Sequence, residues 1–178
     1  MILKNGNDFQ VRKAVPQDAE EIICYLNQVG GESDNLLFGK NGFHMSVEEE
    51  KEYIEGVNNS DTSCLLVGIL ENKIVSLVSI TGSSRSRINH HGEIAVSVLK
   101  KYWGQGIAGE MIKQIISFAK NTAVIMVVQL EVRSDNQKAI HLYEKLGFKK
   151  WGTYEKFFKI EEQYYDADYM NLYLDSEK

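Results

Sequence analysis

Residues 124–132 form a nearly continuous apolar run, broken only by Gln129 and Glu131. A strand of this composition suits burial on both faces, which an ordinary surface hairpin does not provide. It is preceded by a helical pattern over 106–120, where Ile107, Met111, Ile112, Ile115, Ile116 and Ala119 form one apolar face. Before that helix comes a cluster of glycines, and before the glycines an alternating strand over 93–99. This part of the chain therefore reads as strand, helix, strand, a crossover that returns the chain to a neighbouring strand.

The rest of the chain follows the same signals. Residues 9–15 read as a first strand, and Pro16 opens a helix over 16–29 with Asp18, Glu20 and Glu21 at its positive end. Gly30 and Gly31 end it. A long polar loop over 31–44 follows, then Ser46-Val47-Glu48-Glu49, a capping-box pattern that predicts a second helix to Val57. Residues 63–70 and 73–81 are β-rich and joined at Glu71-Asn72, which reads as a tight hairpin. A helix over 136–146, capped by Ser134 or Asn136, and strands over 148–160 and 163–174 close the chain. In the last strand Met170, Leu172 and Leu174 are expected to face inward. The order β-αα-βββ-α-β-α-ββ predicts a mixed α/β sheet, antiparallel at first with one later crossover. With 178 residues, one domain over 1–178 with a core at 9–174 is expected.

Charge excludes some functions. The net charge is −5, which disfavours phosphate backbones and hence a nucleic-acid partner. Arg85-Ser86-Arg87, with His90 and His91 behind it, reads as a solvated loop; on a strand the two histidines would face opposite sides. No apolar run approaches the roughly 20 residues of a membrane span. The N-terminal residues lack the apolar stretch of a signal peptide, so a cytoplasmic protein is expected. Cys24 lies in an amphipathic helix pattern and Cys64 opens an apolar strand, so both are expected to be buried thiols. His44 and His141 lack ligand spacing, and no metal site is expected.

The glycine cluster carries the first chemical signal. In Trp103-Gly104-Gln105-Gly106-Ile107-Ala108-Gly109 the glycines permit backbone angles that other residues resist and let a ligand come close. The helix that follows offers unpaired N–H groups and a positive dipole end, a phosphate site. The same glycines could equally serve only a tight connection. Gly104, Gly106 and Gly109 also match the dinucleotide fingerprint, with Glu131 near the spacing of a ribose-binding acid. That fingerprint usually begins a doubly wound parallel sheet, whereas here several strands precede it, at least one pair hairpin-linked.

Over residues 9–174 the chain resembles the GNAT superfamily of N-acetyltransferases, most closely over 93–148. The family's Gln/Arg-x-x-Gly-x-Gly/Ala frame falls on Trp103 to Ala108, with Trp103 in the Gln/Arg slot. Asn136-x-x-Ala139-x-x-Leu142-Tyr143-x-Lys145-x-Gly147-Phe148 matches the second signature at every defined position. The resemblance implies a GNAT fold, a mostly antiparallel sheet splayed at an acetyl-CoA site and flanked by about four helices. It also implies direct acetyl transfer to a primary amine of a small molecule or a peptide N-terminus. Gly104, Gln105, Gly106, Ala108 and Gly109 would hold the coenzyme A pyrophosphate, and Asn136 its pantetheine. Tyr143 would direct its hydroxyl at the thioester sulfur; read from spacing alone, it is equally a core aromatic. A bulge in the strand over 93–98 would free backbone groups of Val96 and Val98 for pantetheine and the acetyl carbonyl.

Acetyl transfer needs a neutral amine, a stabilised carbonyl oxygen and a protonated leaving sulfur. Glu93, at the start of that strand, is either the base or a solvent-facing carboxylate. Glu32 and Asp34 in the long loop bind an ammonium group or serve solubility, and Arg85 is placed to meet a substrate carboxylate. The tyrosine-rich last strand and Phe157-Phe158 suggest a homodimer edge. A non-catalytic acyl-CoA-binding module is the competing reading.

Overall fold

The computed structural model describes residues 2, 3, 6 and 8–174. Seven strands form one sheet: β1 (Gln10–Lys13), β2 (Cys64–Leu70), β3 (Lys73–Gly82), β4 (His91–Val98), β5 (Val127–Arg133), β6 (Lys149–Ile160) and β7 (Gln163–Tyr173). Four α-helices accompany them: α1 (Ala19–Gly30), α2 (Val47–Asn58), α3 (Ile107–Asn121) and α4 (Gln137–Lys145). The spatial order is β1-β2-β3-β4-β5-β7-β6. Every neighbouring pair is antiparallel except β4 and β5, which the α3 crossover makes parallel.

Local chemistry sets most boundaries. Ser46 Oγ accepts the Glu49 N–H at 3.2 Å while the Glu49 carboxylate accepts the Ser46 N–H at 2.7 Å, the reciprocal cap that starts α2. Glu71 and Asn72 take φ of 51° and 60°, the left-handed pair that turns β2 into β3. Pro16 opens a 3-10 turn over Pro16–Asp18 rather than α1 itself. The apolar run at 124–132 becomes strand only at Val127. Ahead of it Ala123 has φ of 53°, and Thr122 Oγ1 accepts the N–H groups of Val124 and Ile125, both at 3.1 Å. These bonds hold the first residues of the run in a turn.

One face of the sheet packs on α3 through Ile107, Met111, Ile112, Ile115 and Ala119, all buried. Burial of each larger side chain contributes about 1.5–3 kcal/mol. α1 lies on the opposite face, where its Tyr25 hydroxyl hydrogen-bonds Ser97 Oγ of β4 at 2.9 Å. In β7, Met170 and Leu174 are buried, Leu172 is half-buried and Tyr173 is exposed, as the alternation predicts. Cys64 is buried, but Cys24 is exposed, contrary to expectation. The buried side of α1 is Ala19, Ile22, Tyr25 and Val29; Cys24 lies about 100° around the helix from Tyr25 and misses that side. His90 and His91 also depart from expectation: their rings meet edge-on, 4.4 Å apart. His90 sits in the turn before β4, so the strand pleat does not set its direction.

Glu50 of α2 is 2% exposed, and its Oε2 has no hydrogen-bond partner. Burial pushes its carboxyl up to about 7. With a folded-state value above the unfolded one, the native chain holds the extra proton between about pH 4.5 and 7, and stability falls as pH rises through that window. The loss is of the order of 2–3 kcal/mol. Glu50→Gln should therefore melt progressively above the parent as pH moves from 5 to 8, a trend that thermal denaturation at several pH values reads directly.

Candidate active site

β4 and β5 run side by side for three residue pairs, His91 with Val127, Gly92 with Val128 and Glu93 with Gln129, and then separate. Residues 94–98 of β4 and 130–133 of β5 continue without each other. On its other edge β4 keeps an uninterrupted ladder with β3, from Gly82 and Gly92 to Ser76 and Val98. The Leu99 N–H extends that ladder by donating to the Val75 carbonyl at 3.0 Å. Backbone groups alternate sides along a strand, so odd-numbered residues of β4 bond β3 and Val96 and Val98 turn theirs toward the gap. The expected bulge is absent, because the register does not shift anywhere in this pair. The free groups come from the splay instead. Val98 C=O accepts the Trp103 indole N–H at 2.7 Å, leaving its N–H and both backbone groups of Val96 facing the gap.

At the C-terminal end of β4 the chain enters the glycine turn. Gly104 and Gly106 have φ of 77° and 87°, and a Cβ at either would meet no heavy atom within 4 Å. No protein packing demands glycine there; the backbone angle does, and it leaves an open surface. The first helical bond of α3 runs from the Glu110 N–H to the Gly106 carbonyl at 3.1 Å. The N–H groups of Ile107, Ala108 and Gly109 therefore precede the helical bonding and collect at the positive end of a 15-residue helix. A Cβ on Gly109 would touch Leu142 at 3.5 Å, so α4 lies beside this first turn.

α4 begins at Asn136, whose Oδ1 accepts the Ala139 N–H at 3.3 Å. This cap uses the carbonyl end of the amide; its NH2 donates to no described residue. Tyr143 is 8% exposed, and its ring packs edge-on against Phe148 at 5.9 Å. Its hydroxyl makes no hydrogen bond among the described residues. Burial pushes the phenol up to about 12, so it stays protonated at neutral pH. The ring is thus part of the core, and its hydroxyl keeps a spare donor.

On the α1 side of the sheet a cleft of about 600 Å³ is lined by Ser79, Thr81, Ser83, His91, Glu93 and Gln129, among others. Glu93 is exposed at its edge. Glu131, two residues beyond Gln129 on β5, points to the same face and is half-buried. Burial and then the nearby Glu93 charge raise its carboxyl above the ordinary range. Neither carboxylate has an ion pair or hydrogen bond among the described residues. Across β7 the partner of Glu131 is Tyr169, whose phenol burial and then Glu131 push upward. Sequence reasoning met Glu131 only as a ribose-binding acid; a lone carboxylate inside an otherwise apolar, buried strand was the signal it passed over.

The remaining expected residues lie elsewhere. Glu32 does not reach the cleft: its Oε1 accepts from Gln28 Nε2 at 2.9 Å and its Oε2 from the Lys100 N–H at 2.6 Å. The Asp34 carbonyl accepts Arg133 Nη1 at 3.2 Å, beyond the other end of the gap. Arg85 is exposed in the loop whose Ser83 and Ile88 form part of the cleft wall. Trp103, nearly half exposed, replaces the expected polar side chain with an indole that closes the end of β4.

Known proteins resemble this chain in sequence and in fold. The chain is 30% identical to an N-alpha-acetyltransferase of Saccharolobus solfataricus over 95% of its own length and 92% of that protein. It is 29% identical to the L-amino acid N-acetyltransferase AaaT of Escherichia coli over 59% of the chain, a match spanning 65% of the relative's length. The structure superposes on a GNAT-family acetyltransferase from Streptococcus pneumoniae with a TM-score of 0.91, at 30% identity, over 94% of this chain and all of that one. It shares its fold with the yncA acetyltransferase of Salmonella typhimurium, solved with acetyl-CoA, at a TM-score of 0.83 and 18% identity over 96% of each chain. The model of the acetyltransferase (GNAT) family matches residues 35–148, which hold the splay, the glycine turn and Tyr143, and the chain belongs to that family.

Proposed function

We propose that this GNAT-family N-acetyltransferase moves the acetyl group of acetyl-CoA directly onto an α-amine, of an amino acid or a peptide N-terminus, at the gap between β4 and β5. The observation that carries the reading is the break between β4 and β5, which frees backbone groups beside a phosphate-suited helix end and has Glu131, a carboxylate with raised pKa, on the strand that departs. The protein's residues fit the co-substrate: Gly104 and Gly106 leave the surface open for a pyrophosphate, with the N–H groups of Ile107, Ala108 and Gly109 as donors. Gln105 lies between the two glycines on the same turn. Asn136 NH2 and the Val96 and Val98 backbone would hold the pantetheine arm, and a Val96 or Val98 N–H would stabilise charge on the carbonyl oxygen.

Glu131 takes a proton from the acceptor ammonium; burial, and then the Glu93 charge, keep its carboxylate basic enough to do so. The amine lone pair forms the C–N bond, and the C–S bond breaks with its electrons on sulfur, which takes the Tyr143 proton. The second amine proton, released as the amide forms, restores Tyr143 through solvent. An α-amine is neutral in about a tenth of molecules at pH 7, so a weak carboxylate base suffices. The archaeal relative's name, N-alpha-acetyltransferase, and that of the amino-acid enzyme favour the same acceptor class. Arg85, on the exposed loop that carries Ser83 and Ile88 of the cleft wall, would meet a carboxylate carried by such an acceptor.

The reading extends to the protein as one acetyltransferase domain over 1–178 with its core at 9–174. Its two free thiols suit the reducing cytoplasm. Exposed Trp151 and Tyr154 on the edge strand β6 support a homodimer through that edge, whereas Phe158 is buried and contributes nothing to it.

Turnover of acetyl-CoA over a panel of amino acids, short peptides and spermidine tests the reading. Transfer to an α-amine is expected, while tight acetyl-CoA binding with no turnover on any acceptor would favour a non-catalytic module. Tyr143→Phe should lower kcat by about 10²-fold with acetyl-CoA affinity retained. Glu131→Gln should lower kcat/KM and flatten the acid limb of its pH profile, since the base works only when deprotonated; an unchanged limb assigns the base elsewhere. Gly106→Val forces a β-branched residue to φ near +87° and fills the open surface, so calorimetry should find acetyl-CoA binding abolished.

A further inference from the structure

Resting on the reading above, we infer that Glu32 and Arg133 are positioning residues that fasten the loop between α1 and α2 as a strap across the open end of the β4–β5 gap, so that acceptor binding depends on them. Lys100 follows the end of β4, and Arg133 is the last residue of β5. These are the two ends that diverge. Glu32 grips the first through the Lys100 N–H at 2.6 Å, a short bond with a charged acceptor. Gln28, one turn back on α1, fixes the other Glu32 oxygen at 2.9 Å.

Arg133 grips the second end. Its guanidinium is 3.9 Å from the Tyr165 ring centroid and is held by both Asp135 oxygens at 2.9 and 2.6 Å, which leaves Nη1 to donate to the Asp34 carbonyl. Arg133 is only 9% exposed, a fixed post rather than a mobile surface arginine. Only Ser33 separates the two anchored loop residues, so a single short segment connects both sides of the gap. Asn27 secures the far end of the loop by two bonds to the Phe43 backbone, at 3.3 and 3.2 Å.

Without these anchors the loop would be free to sample many conformations, because ordering each residue costs roughly 1–2 kcal/mol and the segment carries few buried side chains of its own. The strap lies on the α1 side of the sheet, which also carries Glu93 and Glu131. A Cβ at Gly104 or Gly106 would meet no heavy atom within 4 Å, the strap's included, whereas the Arg133 end borders Asn136, whose N–H donates to the Arg133 carbonyl at 2.9 Å. Loosening the Glu32 end should therefore weaken the acceptor and leave acetyl-CoA almost untouched.

The test compares Glu32→Ala, Glu32→Gln and Arg133→Lys in the full chain. The first readout is amide hydrogen exchange over residues 33–42, without any acceptor. Glu32→Ala should speed it about tenfold or more, and Glu32→Gln, which keeps an oxygen for the Lys100 N–H, should restore most of the protection. The second is steady-state kinetics with the tripeptide Ala-Ala-Ala as acceptor. Its KM should rise about tenfold in Glu32→Ala and Arg133→Lys, and in Glu32→Ala kcat and the calorimetric Kd for acetyl-CoA should stay within about twofold of the parent. Unchanged loop exchange in Glu32→Ala would overturn the strap, as would a matching rise in the Kd for acetyl-CoA. Absence of turnover on the tripeptide in the parent bears on the acceptor class instead, and the exchange readout decides the strap independently.

Discussion

Beyond Glu93 and Gln129 the sheet lacks the hydrogen bonds that would join β4 to β5, and most of the molecule is arranged around that break. Unpaired backbone groups inside a sheet are costly unless something satisfies them. Here they border an open gap rather than a packed interior, and the Trp103 indole already satisfies one of them. α3 crosses behind the gap and brings its positive end, through the glycine turn, to the mouth. α4 packs beside the first turn of α3 through Leu142, next to Tyr143. A sheet that continued its parallel ladder to Val98 would have none of these groups available.

The break also separates tasks. In the proposed reaction main-chain atoms of Val96, Val98 and the glycine turn would hold the co-substrate, which needs no particular side chain there, and Trp103 stands at that turn with its indole bonded to the Val98 carbonyl. Side chains on the α1 face, Glu93 and Glu131 above all, would meet the amine. Burial, and then the Glu93 carboxylate on the neighbouring strand, raise the basicity of Glu131. The strap from Glu32 to Asp34 then joins the two diverging ends, so the element nearest the acceptor is tied to the walls of the gap.

Much of this was legible in the sequence where a local signal has one physical meaning. The capping box at Ser46 and Glu49, the left-handed turn at Glu71 and Asn72, and the periodic face of α3 depend on neighbours in the chain. The glycine turn and the long motif ending at Phe148 were legible as a pattern. What escaped depends on contacts distant in sequence. Whether Val96 is freed by a bulge or by splaying is decided by where β5 departs. Glu32 and Asp34 look like free loop acids until the Lys100 N–H and Arg133 are seen to engage that loop. The Glu131 carboxyl is raised by burial in the fold and then by Glu93 on another strand, and Cys24 is exposed because α1 buries a narrower face than its apolar pattern suggests.

The central claim is that the gap between β4 and β5 receives the acetyl-pantetheine arm through the β4 backbone. Residue-resolved amide hydrogen exchange with and without acetyl-CoA tests it most directly. The account predicts that the Val96 N–H exchanges readily in the free protein and becomes strongly protected on binding, while Ala95 and Ser97, already bonded to β3, change little. Binding of acetyl-CoA that leaves Val96 exchange unaltered would contradict it.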